Sequence, residues 1–164
     1  SPNTVRTYVE YLKQAYLLQS VPKWSTKSHE RLRGEKLYPV DVGFMDGREN
    51  ALVGENLGWR LETTVLLELL RRHRSFLRTV CYFQGQRTEA DFLVCAGRHV
   101  QEVVQVVYTL QTPRVREREI RGALAAAAAT RCDHVTIVTY AEQDDLTVDG
   151  IHIRIRPAYD WLID

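Results

Sequence analysis

The sequence is poor in the residues that build disulfide frameworks and zinc sites. It holds three cysteines and one methionine among 164 residues, and Cys81, Cys95 and Cys132 lie far apart in apolar surroundings. An odd number of such cysteines indicates buried thiols in a reducing compartment rather than a disulfide framework or a metal cluster. The five histidines include no His-Glu-x-x-His pair, which argues against a zinc hydrolase.

Long apolar runs and phosphate loops are also missing. No apolar run reaches the roughly 20 residues of a membrane-spanning helix, and the first residues have no signal-peptide pattern. No glycine is followed by lysine, so the sequence contains no Gly-x-x-x-x-Gly-Lys phosphate loop. The formal net charge is only +1, so attraction to nucleic acid would require a local basic surface. We therefore expect a cytoplasmic protein with no membrane partner.

The N-terminal quarter has the pattern of a partial winged helix. Apolar residues at helical spacing predict a helix from Val5 to about Leu17, with Thr4 as its N-cap. Extended segments are predicted over 18–24 and 36–42, with a long loop between them. Helix, strand, long loop, strand is the order of the second half of a winged helix. We therefore predict a winged-helix-like segment over 1–45 and a second domain over 46–164.

The loop between the two extended segments is basic. It carries Lys27, Arg31 and Arg33 against Glu30, with Lys23 just before it. Clustered cations of this kind can contact phosphates, so Lys27, Arg31 and Arg33 are the predicted nucleic-acid-binding residues. The alternative interpretation is a solvated loop tip.

The larger predicted domain alternates helices and strands. Its strongest helix is predicted over 57–73, followed by strands over 76–83, 88–94 and 100–108. Thr112 and Pro113 then open a second helix that ends in an alanine run. Strands over 134–140 and 151–155 and an apolar helical turn complete the chain. The order α-β-β-β-α-β predicts an α/β core with a mixed sheet.

Polar residues at selected positions of these elements define a candidate site. Glu62 shares the inward helix face with Val65 and Leu66, where a carboxylate is costly unless it is paired or bound to metal. Asp91 lies on the strand that alternates with period two, and Gln105 and Val107 share a face of the next strand. A structural Glu62, bonded to the backbone or an arginine, remains an alternative.

Four short motifs in order carry a resemblance to a known family. They are Thr4–Tyr8, Gly34–Gly43, Gly58–Glu62 and Glu89–Leu93. The α-β-β-β-α-β order, with Glu62 on the first helix, Asp91 on the second strand and Gln105 to Val107 on the third, makes the chain resemble the PD-(D/E)XK, restriction-endonuclease-like fold. Over nearly its whole length it is similar to the uncharacterised C-terminal domain of bacterial and archaeal AAA+ ATPases. The resemblance implies an upstream AAA+ ATPase domain in the same protein, connected through a winged helix.

The resemblance also implies what the site would do. In active nucleases of this fold, Asp and Glu hold Mg²⁺ and a Lys orients or activates the attacking water. Carried onto this chain, Glu62 and Asp91 are kept, Gln105 replaces the Glu and Val107 replaces the Lys. The implied site is degenerate, so we expect no metal or other cofactor in this chain and assign no catalytic residue.

Three functions follow from this pattern. The first, which we favour, is a catalytically inactive nuclease-like domain that serves the ATPase as a regulatory, nucleic-acid-binding or partner-binding module. The second is an active Mg²⁺-dependent DNA nuclease with a relocated base, for which His99 and Arg114 are available. The third is an oligomerisation or protein-docking domain whose partner is a second copy or another protein. DNA is an expected partner in the first two.

Overall fold

The computed structural model describes residues 1–27, 34–46, 56–75 and 77–164. The order of its elements is helix, hairpin, helix, three strands, helix, three strands and a short helix. These are α1 (Pro2–Gln14), β1 (Leu18–Pro22), β2 (Glu35–Pro39), a 3₁₀ turn (Val42–Asp46), α2 (Leu57–Arg72), β3 (Arg78–Gln84), β4 (Glu89–Ala96), β5 (His99–Val107), α3 (Pro113–Thr130), β6 (Val135–Thr139), β7 (Asp144–Val148), β8 (Ile151–Pro157) and α4 (Ala158–Ile163).

Helix α1 begins earlier than its sequence pattern predicts. Ser1 caps it by accepting a hydrogen bond from the Thr4 amide at 3.4 Å, so the prediction of Thr4 as the N-cap was wrong. Pro2 occupies the first turn, where its missing N–H has no intrahelical partner to lose. The helix ends at Gln14, and Tyr16 takes a left-handed φ of 56°. No residue of α1 is buried.

Strands β1 and β2 form an antiparallel hairpin that joins the rest of the fold. The Trp24 amide donates to the Tyr82 carbonyl on β3 at 2.7 Å. Val21 and Tyr38 are buried in the same hydrophobic cluster as the inner face of α2. The β1–β2 hairpin therefore packs against the later part of the chain and shares a hydrophobic cluster with it. The division into domains over 1–45 and 46–164 stays a prediction.

The main sheet has six strands in the order β3-β4-β5-β6-β8-β7. The first three strands are antiparallel, whereas β5, β6 and β8 run parallel and β7 returns antiparallel to β8. Helices α2 and α4 cover one face of the sheet with one hydrophobic cluster. Helix α3 covers the other face, where its alanines allow close approach. The predicted α/β core with a mixed sheet is confirmed at this level, and its identity as a PD-(D/E)XK fold stays a prediction.

Strand β7 is the main element that the sequence pattern did not predict. It begins with Asp144 and Asp145 and is only partly buried, so it lacks the apolar alternation of the inner strands. The turn between β7 and β8 does have a sequence signal, the Asp149-Gly150 pair. These two residues take φ values of 51° and 80°. Asp-Gly pairs favour such two-residue hairpin turns.

Among the residues that the structure describes, no helix combines the length and the apolar content needed to cross a bilayer.

Candidate functional site

Three carboxylates from two elements form an acidic cluster around the start of β4. Glu62 comes from the second turn of α2, and Glu89 and Asp91 lie two residues apart on β4. Period-two alternation in β4 sends Glu89 and Asp91 to the same side of the strand. The hairpin places Lys36 of β2 among all three, so that elements from both predicted domains build one site.

Lys36 is the centre of this acidic cluster. Its Nζ lies 3.8 Å from Asp91 Oδ1 and 3.9 Å from Glu62 Oε1, and it is in direct contact with Glu89 Oε1. It also lies over the Tyr82 ring, 5.3 Å from the ring centre. The side chain is 28% exposed, so the ammonium is held in a partly desolvated position where opposite charges interact more strongly than in water.

The surroundings keep Lys36 charged. Burial opposes the charge, but the hydrogen bond to Glu89 and the charges of Asp91 and Glu62 outweigh it and raise the pKa of Lys36 above its ordinary value. A lysine in this state is an ammonium ion at neutral pH. It can stabilise negative charge, but it has no lone pair with which to accept a proton from water.

Tyr38 holds Glu62 in place from the same face of β2. Its hydroxyl donates to Glu62 Oε1 at 2.6 Å, and the ring is buried against Phe92. Burial and the charge of Glu62 raise the pKa of Tyr38, so the phenol keeps its proton and acts as a donor. Lys36 and Tyr38 therefore both direct donors towards the Glu62 carboxylate, as residues two apart on a strand can.

Asp91 is the most buried carboxylate of the acidic cluster. Its Oδ2 accepts a hydrogen bond from the Val106 amide at 2.9 Å, at a point where β4 and β5 are no longer paired. Burial and the nearby charge of Glu62 raise the pKa of Asp91 to about 8, against the lowering effects of the Val106 amide and Lys36.

Gln105 links Asp91 to a further buried acid. Its Oε1 accepts from the Asp91 amide at 3.2 Å, and its Nε2 donates to Glu119 Oε2 of α3 at 2.6 Å. Glu119 is buried, and its other oxygen accepts from Arg118 Nε at 2.8 Å. An amide can both accept and donate, whereas a carboxylate can only accept. The pair of contacts therefore explains why glutamine rather than glutamate suits position 105.

The structure places the Gln105 side chain against the Asp91 amide and brings Asp91 and Glu62 together around Lys36. Val107 shares the α3-facing side of β5 with Gln105, packs against the hydrophobic cluster there and, as a valine, offers no polar group. Sequence reasoning missed Lys36 and Glu119. Lys36 stands in one of the four motifs but far from Asp91 in sequence, and Glu119 is hidden among the alternating charges of Arg114–Arg121.

A cleft opens beside the acidic cluster, between the β3–β4 turn and α3. It has a volume of about 450 Å³, and Asp91, Gln105 and Glu119 form its floor. Gly122 is required at its edge, because a Cβ there would lie 2.4 Å from the Glu89 carbonyl oxygen. Arginines line its open side, and the complete lining is Gln84, Gly85, Gln86, Arg87, Thr88, Glu89, Asp91, Gln105, Arg118, Glu119, Arg121 and Gly122.

The side chains as arranged do not fit Mg²⁺. This ion needs oxygen ligands at about 2.0–2.1 Å in octahedral geometry, whereas Glu62 and Asp91 both face the Lys36 ammonium. The Gln105 oxygen is already used by the Asp91 amide. Within the described ranges, no three Asp, Glu, His or Cys side chains stand in metal-binding geometry.

The other predicted site residues lie elsewhere. Lys27 is exposed, with its amide donating to Ser25 Oγ at 3.1 Å, and Arg31 and Arg33 fall outside the described residues. His99 is at the start of β5, at the opposite end of that strand from Gln105. Arg114 lies in the first turn of α3, beside Arg118 and Arg121.

Comparison with known proteins adds one relative. No family model matches the chain, and no solved structure matches it. The chain is 31% identical over 169 residues to an uncharacterized protein of Methanocaldococcus jannaschii. The match covers 98% of this chain but only 36% of the relative, so the chain spans about a third of the length of the curated protein that it matches.

Proposed function

We propose that this chain is a nuclease-like accessory domain of a AAA+ ATPase that binds nucleic acid or a protein partner without cleaving a phosphodiester bond. The observation that carries the proposal is the position of Lys36. Its ammonium lies within 4 Å of Glu62 and Asp91 and contacts Glu89. A cation supplied by the protein thus occupies the place that a metal would need, and it compensates the charges that would attract one.

The hydrogen bonds of Gln105 support the same proposal. The amide joins the Asp91 backbone to the Glu119 carboxylate, which ties β4, β5 and α3 together. Buried polar groups that are fully bonded to one another stabilise a unique arrangement. Replacing the catalytic glutamate of the resembled family by this amide removes a ligand charge and adds a structural link.

The exposed face of α1 supports a role as a part of a larger assembly. Val5, Tyr8 and Tyr11 are 64%, 64% and 59% exposed, and Leu12 continues the face. Adjacent exposed apolar residues on one helix are typical of surfaces that contact another protein segment. The upstream ATPase itself rests on the resemblance of the four motifs. The length of the archaeal relative leaves room for such a domain.

A second candidate is an active Mg²⁺-dependent nuclease in which Lys36 replaces the missing lysine of β5. It is favoured by the same short distance, 3.8 Å between Lys36 Nζ and Asp91 Oδ1. The two candidates differ in what Lys36 does: in the first it excludes a metal, and in the second it acts next to one.

One comparison separates them. Mn²⁺ binding by calorimetry and plasmid nicking are measured for the wild type, for Lys36→Met, and for Lys13→Met, which removes an ammonium that bonds the exposed carboxylates of Glu10 and Glu35. We expect no nicking and no Mn²⁺ binding by the wild type or Lys13→Met, and a gain of Mn²⁺ binding in Lys36→Met. Wild-type nicking that is lost in both Asp91→Ala and Lys36→Met would establish the nuclease instead.

A further inference from the structure

Four arginines outside the acidic cluster line either the cleft or a depression next to it. Arg114, Arg118 and Arg121 follow one another at intervals of four and three residues, so they lie on one face of α3. Arg87 lies in the β3–β4 turn and lines the cleft together with Arg118 and Arg121. We call these four residues the arginine stripe.

The arginine stripe runs through two adjoining depressions. Arg87, Arg118 and Arg121 line the cleft above Gln105. Arg114, Arg118 and Arg121 line a second depression of about 450 Å³, together with Val115 and Glu117. Because Arg118 and Arg121 belong to both, the depressions form one path from the first turn of α3 to the floor of the cleft.

Only two of the four arginines in the arginine stripe make ion pairs with described residues. Arg118 donates a hydrogen bond to Glu119. Arg121 lies 3.8 Å from Glu117, and the side chains of Arg121 and Glu117 are both exposed. Neither Arg87 nor Arg114 makes an ion pair with any residue that the structure describes. The acidic floor is offset separately, because Lys36 faces Asp91 and the Gln105 amide donates to Glu119.

The spacing and chemistry of the arginine stripe suit a phosphodiester backbone. A guanidinium donates two parallel hydrogen bonds to one phosphate, and successive guanidiniums one helical turn apart present a row of such donors. A cleft of about 450 Å³ is the size of a small-ligand pocket, which admits a nucleotide but not a duplex.

We infer that the arginine stripe binds the backbone of a single nucleic-acid strand and directs one nucleotide into the cleft above Gln105. This inference rests on the proposed function, because it names the ligand of that accessory domain and the surface that receives it. It assigns the contact to α3 and the β3–β4 turn, not to the basic loop of Lys27, Arg31 and Arg33.

The test is fluorescence anisotropy with a labelled 20-nucleotide oligothymidine and with a duplex of equal length, in EDTA at several salt concentrations. The variant carries Arg87→Gln, Arg114→Gln and Arg121→Gln. The matched control carries Arg6→Gln, Arg74→Gln and Arg154→Gln, three exposed arginines outside both depressions. Both variants lose the same charge, and circular dichroism checks their folding.

We expect the wild type to prefer the single strand and the stripe variant to lose at least tenfold in affinity at low salt, while the control loses less than threefold. The slope of log affinity against log salt should fall by about 2 for three lost phosphate contacts, at about 0.7 each. The inference would be overturned by equal losses of affinity in both variants or by tighter binding of the duplex. It would also be overturned if replacing Lys27, Arg31 and Arg33 by glutamine, and not the arginine stripe, weakened binding. Since EDTA removes metal, these outcomes are independent of any cleavage that would contradict the proposed function.

Discussion

Replacing Lys36 by methionine tests how the acidic cluster is balanced. Methionine keeps an unbranched apolar stem and removes only the ammonium. Lys36 forms ion pairs with Glu62, Glu89 and Asp91, and its removal leaves these three acidic side chains facing one another without that cation. Breaking a buried ion pair from one side costs about 3–5 kcal/mol, and an exposed pair contributes about 0–1 kcal/mol. Since the carboxylate partners Glu62 and Asp91 are only 22% and 11% exposed, we expect an intermediate loss of about 2 kcal/mol in the free energy of unfolding.

The loss should depend on pH in a defined direction. The folded protein raises the pKa of Asp91 from 3.8 to about 8, so it binds a proton that the unfolded chain has released. A raised carboxyl pKa makes the folded state less stable as pH rises through the interval between those two values. Lys36 lowers that pKa, so its removal should steepen the decline. Lys36→Met should therefore lose more stability at pH 8 than at pH 5.

Urea denaturation of the wild type, Lys36→Met and Lys13→Met at pH 5 and pH 8 measures the effect. Lys13 bonds two exposed carboxylates, those of Glu10 and Glu35, at 3.0 and 3.2 Å, and we expect its replacement to cost about 1 kcal/mol or less at both pH values. Equal, pH-independent losses in the two variants would refute the reasoning, because Lys36 would then be an ordinary surface lysine.

Two further substitutions test the floor and the edge of the cleft. Gln105→Glu places a second carboxylate against Glu119, 2.6 Å from the present amide nitrogen, so we expect a loss of about 2–3 kcal/mol at pH 8 that shrinks as acid neutralises the new carboxylate. Thermal melts check it, and an equal effect of Gln101→Glu, at an exposed position of β5, would contradict it. Gly122→Ala brings a Cβ within 2.4 Å of the Glu89 carbonyl oxygen and should cost about 1–3 kcal/mol in urea denaturation, whereas Gly58→Ala in α2, whose added Cβ meets no atom within 4 Å, should gain about 0.5–1 kcal/mol.

The sequence was most informative where an element has a strong local signal. The helix over 57–73 and the strands around Asp91 and Gln105 carry clear apolar periodicity, and they form close to the predicted positions. Strand β7 has two acids at its start and depends on pairing with β8, so its conformation is set by a neighbour rather than by its own composition. The start of α1 was misplaced because Ser1 and Pro2 also satisfy the rules for a helix N-terminus.

The residues of the candidate site also fall into those that the sequence could place and those that it could not. Asp91 and Gln105 could be placed together because they lie on adjacent strands with a short connection. Lys36 could not, because its approach depends on how the β1–β2 hairpin packs against β3, which no local pattern encodes. Glu119 was hidden for a related reason. Helical spacing alone does not show which of the charged residues in α3 turns towards the sheet.

The hairpin that carries Lys36 and Tyr38 has a consequence for dividing the chain into pieces. A cut between residues 45 and 46 leaves Lys36 and Tyr38 on one fragment and the three carboxylates on the other. Val21 and Tyr38 would leave the hydrophobic cluster with the first fragment. The larger fragment would then expose apolar surface and a concentrated negative charge at the same place. Mixed together, the two fragments should reassociate through these contacts, in the manner of a split protein whose halves complement each other.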